Sequence, residues 1–299
     1  SSGGNLNTAR QTLGGAGISQ DSALAFGGSP NGSAVVGVTE SYNGSAWTEV
    51  ADLNTPRRYF VGLGTQAAAM ACGNIHNAPL NQQCEQWDGT SWTEVGNLTR
   101  SDTPPVSCGF ASGFGSSTSA MFNGGAEGAP APPPPSALQI CEQWNGTSWT
   151  EVADLVTAMT YAAGAGTSGA AGLSTGGGTF TPGWGFNDKN QVWDATSWTE
   201  VADINTARAS PGGAIQGTVT AALIFAGTEP AESVKTEKWN GTSWTEVADL
   251  ATARHYVGAA GVQNNALCFG GVPPTPASSY NVTEEWSGAP AVVKTVTVS

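Results

Sequence analysis

Short apolar segments of strand length recur along the chain, separated by glycine and by polar turn residues. Their order is constant. A segment rich in Gly and Ala comes first, an apolar segment that ends in paired glycines follows, and two aromatic-bearing segments then flank a turn. Residues 23–28 and 266–271 are examples of the second kind. Such segments, bounded by turn residues, are typical of β-strands. The pattern therefore predicts an all-β chain with four strands in each repeating unit.

One phrase, Trp-Thr-Glu-Val, marks the last segment of a unit and recurs at a nearly constant interval. It begins at Trp47, Trp92, Trp149, Trp198 and Trp244, so the steps are 45, 57, 49 and 46 residues. Internal repeats of this period indicate a solenoid or a propeller, in which each unit buries its apolar face against its neighbours. We therefore expect these tryptophans to form the core between neighbouring sheets.

Six units fit the chain, with approximate bounds 6–53, 54–98, 99–155, 156–204, 205–250 and 251–299. Because the chain starts without Met, we interpret residues 1–5 as a linker from an upstream region. The sixth unit lacks the Trp-Thr-Glu-Val phrase. Residues 292–298 are β-branched and alternate as in a strand, so we expect them to supply the missing fourth strand. The ring would then close without a blade shared by the two chain ends.

The turn between the third and fourth strands carries Asn-Gly or Asp-Gly, as at Asn43-Gly44 and Asp88-Gly89. These dipeptides are typical of two-residue type I′ hairpins. Side chains alternate along strands, so Trp87 and Trp92 share one face, which a neighbouring sheet must cover. The Gly- and Ala-rich segments suit strands that crowd around an axis. We therefore predict a single six-bladed β-propeller of four-stranded antiparallel blades.

Five landmarks recur in order: an arginine, a small-residue segment, paired glycines, Glu-x-aromatic and Trp-x-x-Val. From Leu6 onward this order resembles the Kelch repeat, and the resemblance implies a Kelch-like propeller. Two units depart from the pattern, because Gly73-Asn74 and Ala226-Gly227 replace the paired glycines. The close internal copies also resemble Kelch-like repeat proteins of marine bacteriophages. That resemblance implies a virion or tail-associated protein on a virion surface or at another extracellular site.

Two charged positions recur with the repeat. The arginines are Arg10, Arg57, Arg208 and Arg254, and the carboxylates of Glu-x-aromatic include Glu85, Glu142 and Glu237. A catalytic carboxylate pair consists of two residues held in different environments within one cleft, whereas these residues recur from unit to unit. We therefore expect a structural role, in which each glutamate pairs with an arginine of a neighbouring strand or blade.

Composition and charge argue against several classes of partner. The formal net charge is −13, and an acidic chain without a basic patch is repelled by nucleic acid and by anionic membrane surfaces. No apolar run approaches the roughly 20 residues that a membrane-spanning helix needs, so no membrane insertion is expected. The five cysteines are interpreted as small buried apolar residues, with a Cys72–Cys84 bridge across one hairpin as the alternative.

The sequence offers few residues for catalysis. His76 and His255 are its two histidines, and they fall at different positions of the repeat. No cluster of His, Cys, Asp and Glu has the spacing of a metal site, so neither a metal nor a cofactor is expected. A non-enzymatic protein is therefore predicted. The alternative is a secreted lectin or a galactose oxidase-like enzyme. The Kelch resemblance raises the enzyme, which would need Tyr and His as copper ligands.

Sequence variation concentrates in the loops between the second and third strands, which one face of a propeller carries together. The loop of the fourth unit contains the one tryptophan outside the repeat. The residues expected to bind a ligand are Phe180, Trp184, Phe186, Asp188 and Lys189 in that loop, and His76 in the loop of the second unit. The alternative is a loop that packs its aromatic side chains onto its own blade.

The predicted function is that of a recognition or structural module on an extracellular particle. Its expected partner is a cell-surface carbohydrate or a neighbouring virion or particle protein. A purely architectural decoration protein is the alternative, and such a protein would contact a shell without any affinity for carbohydrate. A polar surface with few charges suits an exposed position.

Overall fold

The computed structural model describes residues 2–74, 80–100, 106–127, 136–179, 185–274 and 279–288. Within these residues the secondary structure is almost entirely β, and the helical structure they contain is one short 3₁₀ helix, Leu80–Gln82. No helix in the described part of the chain is long and apolar enough to cross a membrane. The prediction of an all-β chain is confirmed.

The strands form successive antiparallel meanders, each of which is one blade. Blade one contains β1 (Gly14–Ser19), β2 (Ser22–Phe26), β3 (Thr39–Tyr42) and β4 (Trp47–Val50). Blade two contains β5 (Val61–Thr65), β6 (Ala68–Cys72), β7 (Cys84–Trp87) and β8 (Trp92–Val95). Blade three contains β9 (Val106–Ser116), β10 (Ser119–Glu127), the short β11 (Ser136–Ala137), β12 (Cys141–Trp144) and β13 (Trp149–Val152).

Blade four contains β14 (Ala163–Ser168), β15 (Ala171–Thr175), a small separate hairpin of β16 (Gly178–Thr179) and β17 (Gly185–Phe186), then β18 (Asn190–Trp193) and β19 (Trp198–Val201). Blade five contains β20 (Gly212–Gly213), β21 (Ala222–Phe225), β22 (Thr236–Trp239) and β23 (Trp244–Glu246). Blade six contains β24 (Gly258–Val262), β25 (Asn265–Phe269) and β26 (Thr283–Ser287).

The first strand of every blade lies innermost and contacts the first strands of the two flanking blades. In order around the ring, β1 contacts β5, β5 contacts β9, β9 contacts β14, β14 contacts β20, β20 contacts β24, and β24 contacts β1. The blades therefore form a closed ring, and the predicted six-bladed propeller of four-stranded antiparallel sheets is confirmed.

At glycines of the innermost strands, neighbouring backbones approach so closely that a side chain would have no room. A Cβ atom on Gly15 would overlap the carbonyl oxygen of Ala259 in blade six, and one on Gly164 would overlap the carbonyl oxygen of Gly113 in blade three. The small residues of the first strands are therefore required by the radius of the ring.

The tryptophan that opens the fourth strand of a blade packs against the preceding blade. The ring of Trp92 lies 4.9 Å from that of Phe26 in blade one, and its Nε1–H donates to Thr39 Oγ1 at 3.1 Å. Trp47 makes the same contacts with Phe269 and Thr283 of blade six, at 5.0 and 3.1 Å. All five of these tryptophans are at least 95% buried. Each of them joins two blades, which accounts for much of the apolar burial between sheets.

The hairpin turn between the third and fourth strands differs from the sequence expectation. Trp87 pairs with Trp92, so four residues form the loop and not two. Oδ1 of Asp88 accepts hydrogen bonds from the backbone N–H groups of Thr90 and Ser91, both at 2.8 Å. These side-chain hydrogen bonds stabilise the four-residue loop together with a backbone hydrogen bond from Asp88 N–H to Ser91 O at 3.2 Å. The type I′ interpretation is therefore wrong, although both tryptophans share one face as expected.

Buried ion pairs tie the connection before the first strand to the third strand of the same blade. Arg10 Nη2 lies 2.8 Å from Glu40 Oε1, and both side chains are fully buried. Equivalent pairs join Arg57 to Glu85, Arg100 to Glu142, Arg208 to Glu237 and Arg254 to Glu284. The glutamates also accept hydrogen bonds from the preceding connection, as from Asn7 to Glu40 Oε2 at 2.6 and 2.9 Å. These contacts compensate for the burial of two charges.

The start of the chain lies along the outer edge of β26, where the fourth strand lies in other blades. Ser2 forms a β-bridge with Glu284, and the N–H of Gly3 donates to Thr283 O at 3.1 Å. Leu6 is 2% exposed, and its N–H donates to Asn281 O at 2.8 Å. Residues 2–5 therefore belong to blade six, in contrast to the interpretation as a linker. The segment 292–298, expected to supply this strand, lies outside the described residues.

All five cysteines are buried free thiols. Cys72 pairs directly with Cys84 across β6 and β7, as the alternative interpretation required, but no disulfide joins them. Burial raises the pKa of the Cys141 thiol to about 12 and that of Cys268 to about 11. The thiols therefore act as small apolar core residues.

Candidate functional site

The two faces of the ring carry different connections. Because the strands of each blade are antiparallel, the loops between second and third strands share a face with the connections into each first strand. We call this the loop face. The opposite face, here called the turn face, carries the short repeated turns such as the one at Asp88. The loop face therefore holds the parts of the chain that vary between blades.

A ring of strained residues surrounds the axis on the loop face, just before the first strand of each blade except blade three, where Phe110 lies within β9. Its members have φ angles between 54° and 61°, a region that residues other than glycine rarely adopt. They are Thr12, Tyr59, Phe110, Tyr161, Ser210 and Tyr256. Backbone hydrogen bonds connect neighbours around the ring, as from Tyr161 N–H to Phe110 O at 2.7 Å and from Thr12 N–H to Tyr256 O at 2.9 Å. The propeller holds this strained backbone in place, and such strain concentrates at functional sites.

Four of these side chains gather on the axis, and we call Tyr59, Phe110, Tyr161 and Tyr256 the axial aromatic cluster. Ring centroids lie 4.7 Å apart for Tyr59 and Phe110, 4.4 Å for Phe110 and Tyr161, and 5.2 Å for Tyr59 and Tyr256. Each of the four is half-buried. Together they form an aromatic surface that remains accessible at the centre of the loop face.

The cluster lines a shallow open cavity of about 120 Å³. Arg58 stands at its rim, with its guanidinium 5.6 Å from the Tyr59 ring centre. His255 lies on another side, with its ring 4.3 Å from that of Tyr256 and its Nδ1 3.7 Å from Glu232 Oε1. Burial lowers the pKa of His255, so the imidazole is neutral near pH 7. Arg58 supplies a positive charge beside the Tyr59 ring.

The tyrosine hydroxyls of the cluster stay protonated at physiological pH. Burial is the main cause that raises the pKa of Tyr59, of Tyr161 and of Tyr256. The hydroxyls of Tyr59 and Tyr161 hydrogen-bond to that of Tyr256. The cavity thus presents flat apolar rings with neutral hydroxyl groups between them. Such a surface can stack on the apolar face of a ring-shaped ligand while it donates and accepts hydrogen bonds.

Across the described ranges, no group of three or more His, Cys, Asp or Glu side chains is arranged to hold a metal ion. The nearest acid–base pair is His255 with Glu232, whose Nδ1–Oε1 separation of 3.7 Å is beyond hydrogen-bond distance.

Of the site residues predicted in the loop of blade four, the structure describes Phe186, Asp188 and Lys189, and these three do not join this cluster. Phe186 is half-buried in the hairpin of β16 and β17. Lys189 Nζ lies 2.8 Å from Asp203, 3.3 Å from Glu200 and 3.9 Å from Asp188, so it is held by carboxylates of its own blade. Hydrogen bonds to Asp203 and Glu200 raise the pKa of Lys189. Phe180, Trp184 and His76 lie outside the described residues.

Sequence reasoning missed the axial aromatic cluster, although a signal is present. Tyr59 and Tyr256 each stand two residues after the repeat arginine, and Tyr161 stands two residues after Met159, which replaces that arginine in blade four. Tyrosine at one fixed repeat position indicates a shared place in the ring. Phe110 carries no such signal, because in the sequence it stands ten residues after the repeat arginine, Arg100.

No protein-family model matches this chain, and no curated protein has a significantly similar sequence.

Proposed function

We propose that this propeller is a non-enzymatic recognition module that binds its ligand on the loop face, centred on the axial aromatic cluster. The observation that carries the proposal is the combination of accessible aromatic rings, neutral hydroxyls and strained backbone at one place. The turn face offers exposed polar turns of nearly constant sequence. A rigid scaffold with variable loops on one face is the usual arrangement of a binding protein.

The ligand class that fits best is carbohydrate. A pyranose has one apolar face that stacks on aromatic rings and a rim of hydroxyls that hydrogen-bond to groups such as those of Tyr59 and Tyr161. The acidic chain, with a net charge of −13, disfavours polyanionic ligands. A neutral or basic cell-surface glycan is therefore the proposed ligand, and a neighbouring particle protein is the second candidate.

The setting that we propose is the surface of a bacteriophage virion or its tail. Its support is the resemblance of the repeat phrases to Kelch repeats, and in particular to the Kelch-like repeat proteins of marine bacteriophages. The six-bladed ring is the architecture that this resemblance implies, and low charge with many Ser, Thr and Asn residues suits exposure to the medium.

Binding to a glycan array tests the proposal. The variants are Tyr59→Ser, Tyr161→Ser and Tyr256→Ser, because Ser210 already occupies the same ring position in blade five. We expect each to weaken binding of any glycan that the wild-type chain retains, by roughly tenfold for the loss of one stacked ring. Thr90→Ala on the turn face is the control and should bind normally. Glycan binding that survives all three serine substitutions would contradict the proposal.

A further inference from the structure

The shallow cavity that the axial aromatic cluster lines continues inward along the axis of the ring. A second cavity of about 110 Å³ lies beneath it, and we call this second cavity the axial pocket. Both cavities contact the residue that follows each strained residue, so they meet at a collar with one member from every blade. The collar consists of Leu13, Phe60, Ala111, Ala162, Pro211 and Val257. The axial pocket is therefore reached from the loop face, through the aromatic cluster.

Backbone groups contribute much of the wall of the axial pocket. Two positions beyond the collar, five of the six blades place a glycine against the pocket and the sixth places Ala259. Each first strand is the edge of its sheet, and its free edge faces the axis. An edge strand leaves part of its N–H and C=O groups without a strand partner. Ser112 adds a buried hydroxyl that has no hydrogen-bond partner among the described residues. The wall therefore offers neutral hydrogen-bond donors and acceptors.

Blade five closes the far end of the axial pocket. The segment from Ser210 to Phe225 is two residues longer than the equivalent segment from Tyr59 to Cys72, and β20 is only two residues long. This longer segment carries Ile215 to the axis, where it lines the pocket. Ile215 also joins an apolar cluster formed by blades one and two, which lie across the axis from blade five. Its side chain therefore crosses the axis and forms the floor of the pocket.

Hydrogen bonds to three other blades hold this floor in place. The carbonyl oxygen of Ile215 accepts from Gly166 N–H of blade four at 3.1 Å. The neighbouring Gln216 donates from its backbone N–H to Gly261 O of blade six, and from its Nε2 to Gly115 O of blade three, both at 3.0 Å. Ile215 is 8% exposed and Gln216 is 6% exposed. The pocket therefore ends at a fixed side chain and does not continue to the turn face.

The size and the neutrality of the axial pocket limit what it can hold. A cavity of about 150 Å³ accommodates benzene, so the 110 Å³ of this pocket suits a group of about four heavy atoms. Among the described residues that line the pocket, none carries a charge. A carboxylate or an ammonium group would therefore lose its hydration there without gaining an ionic partner. A small neutral group that both donates and accepts hydrogen bonds fits these walls best.

We propose that the axial pocket receives the acetamido group of an N-acetylated amino sugar whose ring stacks on the axial aromatic cluster. The acetamido group matches the pocket in size and in neutrality. Its N–H and C=O bond to the backbone edges of the wall, and its methyl group contacts Ile215. This inference rests on the proposed function, since it assumes a carbohydrate on the loop face. It adds the class of sugar and the residue that limits the length of the acyl group.

The test titrates the full chain with a series of methyl glycosides and follows binding by NMR. The N-acetylglucosamine glycoside should bind roughly tenfold more tightly than the glucose glycoside, because only the acetylated sugar fills the pocket. N-acetylgalactosamine and galactose give the same comparison for the epimeric sugar. The N-butyryl homologue of the glucosamine glycoside should bind roughly tenfold more weakly than the N-acetyl form, because Ile215 leaves no room for a longer acyl chain.

Variants of the floor test the role of Ile215 directly. Ile215→Ala should reverse the preference, so that the N-butyryl form binds at least as tightly as the N-acetyl form. Ile215→Val removes less volume, should narrow the difference between the two forms, and serves if the alanine variant does not fold. Ile18→Ala is the matched control, because Ile18 in β1 is 54% exposed. The control should leave the order of affinities unchanged.

The outcomes separate this inference from the proposed function. Equal affinity for the acetylated and the parent glycosides would overturn the inference, and loss of that binding in Tyr59→Ser would leave the proposed function in place. If no glycoside binds and the glycan array shows no binding either, the proposed function fails and the inference fails with it. Continued exclusion of the N-butyryl form by a folded Ile215→Ala variant would overturn the assignment of Ile215 as the floor.

Discussion

Gln191 and Met159 face each other in blade four, with Gln191 Nε2 3.3 Å from Met159 Sδ. They stand where Glu and Arg form buried ion pairs in the other five blades. Gln191 Oε1 accepts from Val156 N–H at 2.7 Å, as the glutamates accept in other blades. Its Nε2 donates to Thr157 O at 2.9 Å, as the arginine Nε donates to Thr8 O in blade one. Both charges are therefore replaced together, as expected if an unpaired buried charge is costly.

Blade four supplies a template for testing the ion pairs. Arg208→Met should reduce the free energy of unfolding by about 3–5 kcal/mol, because Glu237 is left buried without its partner. The double variant Arg208→Met/Glu237→Gln, which copies blade four, should recover much of that loss. Urea denaturation of the three proteins checks this. If Arg208→Met is as stable as wild type, or if the double variant is no more stable than Arg208→Met, the ion pair does not stabilise the blade as proposed.

The repeat in the sequence was sufficient to predict the blades, because period, strand length and turn residues all describe one unit that is copied around the ring. It was also sufficient to predict the buried tryptophans, since an aromatic residue on a sheet face needs a neighbouring sheet. The features that were missed depend on contacts that one unit does not contain. The axial aromatic cluster forms only where the ring brings several blades to one axis.

The role of residues 2–6 was missed for a different reason. Gly4-Asn5-Leu6 repeats the end of a fourth strand, as in Gly96-Asn97-Leu98, but without the tryptophan phrase that identifies such a strand elsewhere. The turn was misjudged because Oδ1 of Asp88 accepts hydrogen bonds from the backbone N–H groups of Thr90 and Ser91 and so stabilises a longer loop. Strand propensity predicts neither the position of residues 2–6 in blade six nor the hydrogen bonds that Asp88 accepts.

Closure of the ring by the chain start can be measured with a leucine pair. Leu6 and Leu53 occupy equivalent positions and are 2% and 4% exposed. If residues 2–6 complete blade six, Leu6→Ala and Leu53→Ala should each lower the free energy of unfolding by about 2–5 kcal/mol. Chemical denaturation measures both. A negligible cost for Leu6→Ala beside a large cost for Leu53→Ala would place the chain start outside the fold.

Backbone strain at the axis can be measured with glycine substitutions. Ser210 has a φ of 55°, which glycine adopts without the steric penalty of a side chain. We expect Ser210→Gly to leave stability unchanged or raise it by up to about 1 kcal/mol. Thr48→Gly, in the exposed part of β4, is the control and should destabilise the chain by about 0.5–1 kcal/mol. If both substitutions destabilise equally, residue 210 is not strained.

Stability should fall at alkaline pH because of the buried thiols. Burial raises the pKa of Cys141 to about 12 and of Cys268 to about 11, whereas an unfolded thiol titrates near about 8.5. The stability that these protonated thiols contribute is therefore fully present below the pKa of the unfolded state. It is lost as pH rises towards the pKa values of the folded state. Cys141→Thr, which copies Thr39 of blade one, should reduce the slope of the urea midpoint against pH between about 9 and 11. An unchanged slope would exclude Cys141 as a cause.

The most direct test of the proposal that the loop face is a recognition surface on a virion is a cryo-EM map of the native assembly in which this chain occurs, at a resolution that shows the ring. We expect the axial aromatic cluster, with Tyr59, Tyr161 and Tyr256, to point away from the particle or to contact a bound glycan or receptor. A map in which that face lies flat against the shell, with the turn face exposed and unliganded, would contradict the account and favour a purely architectural protein.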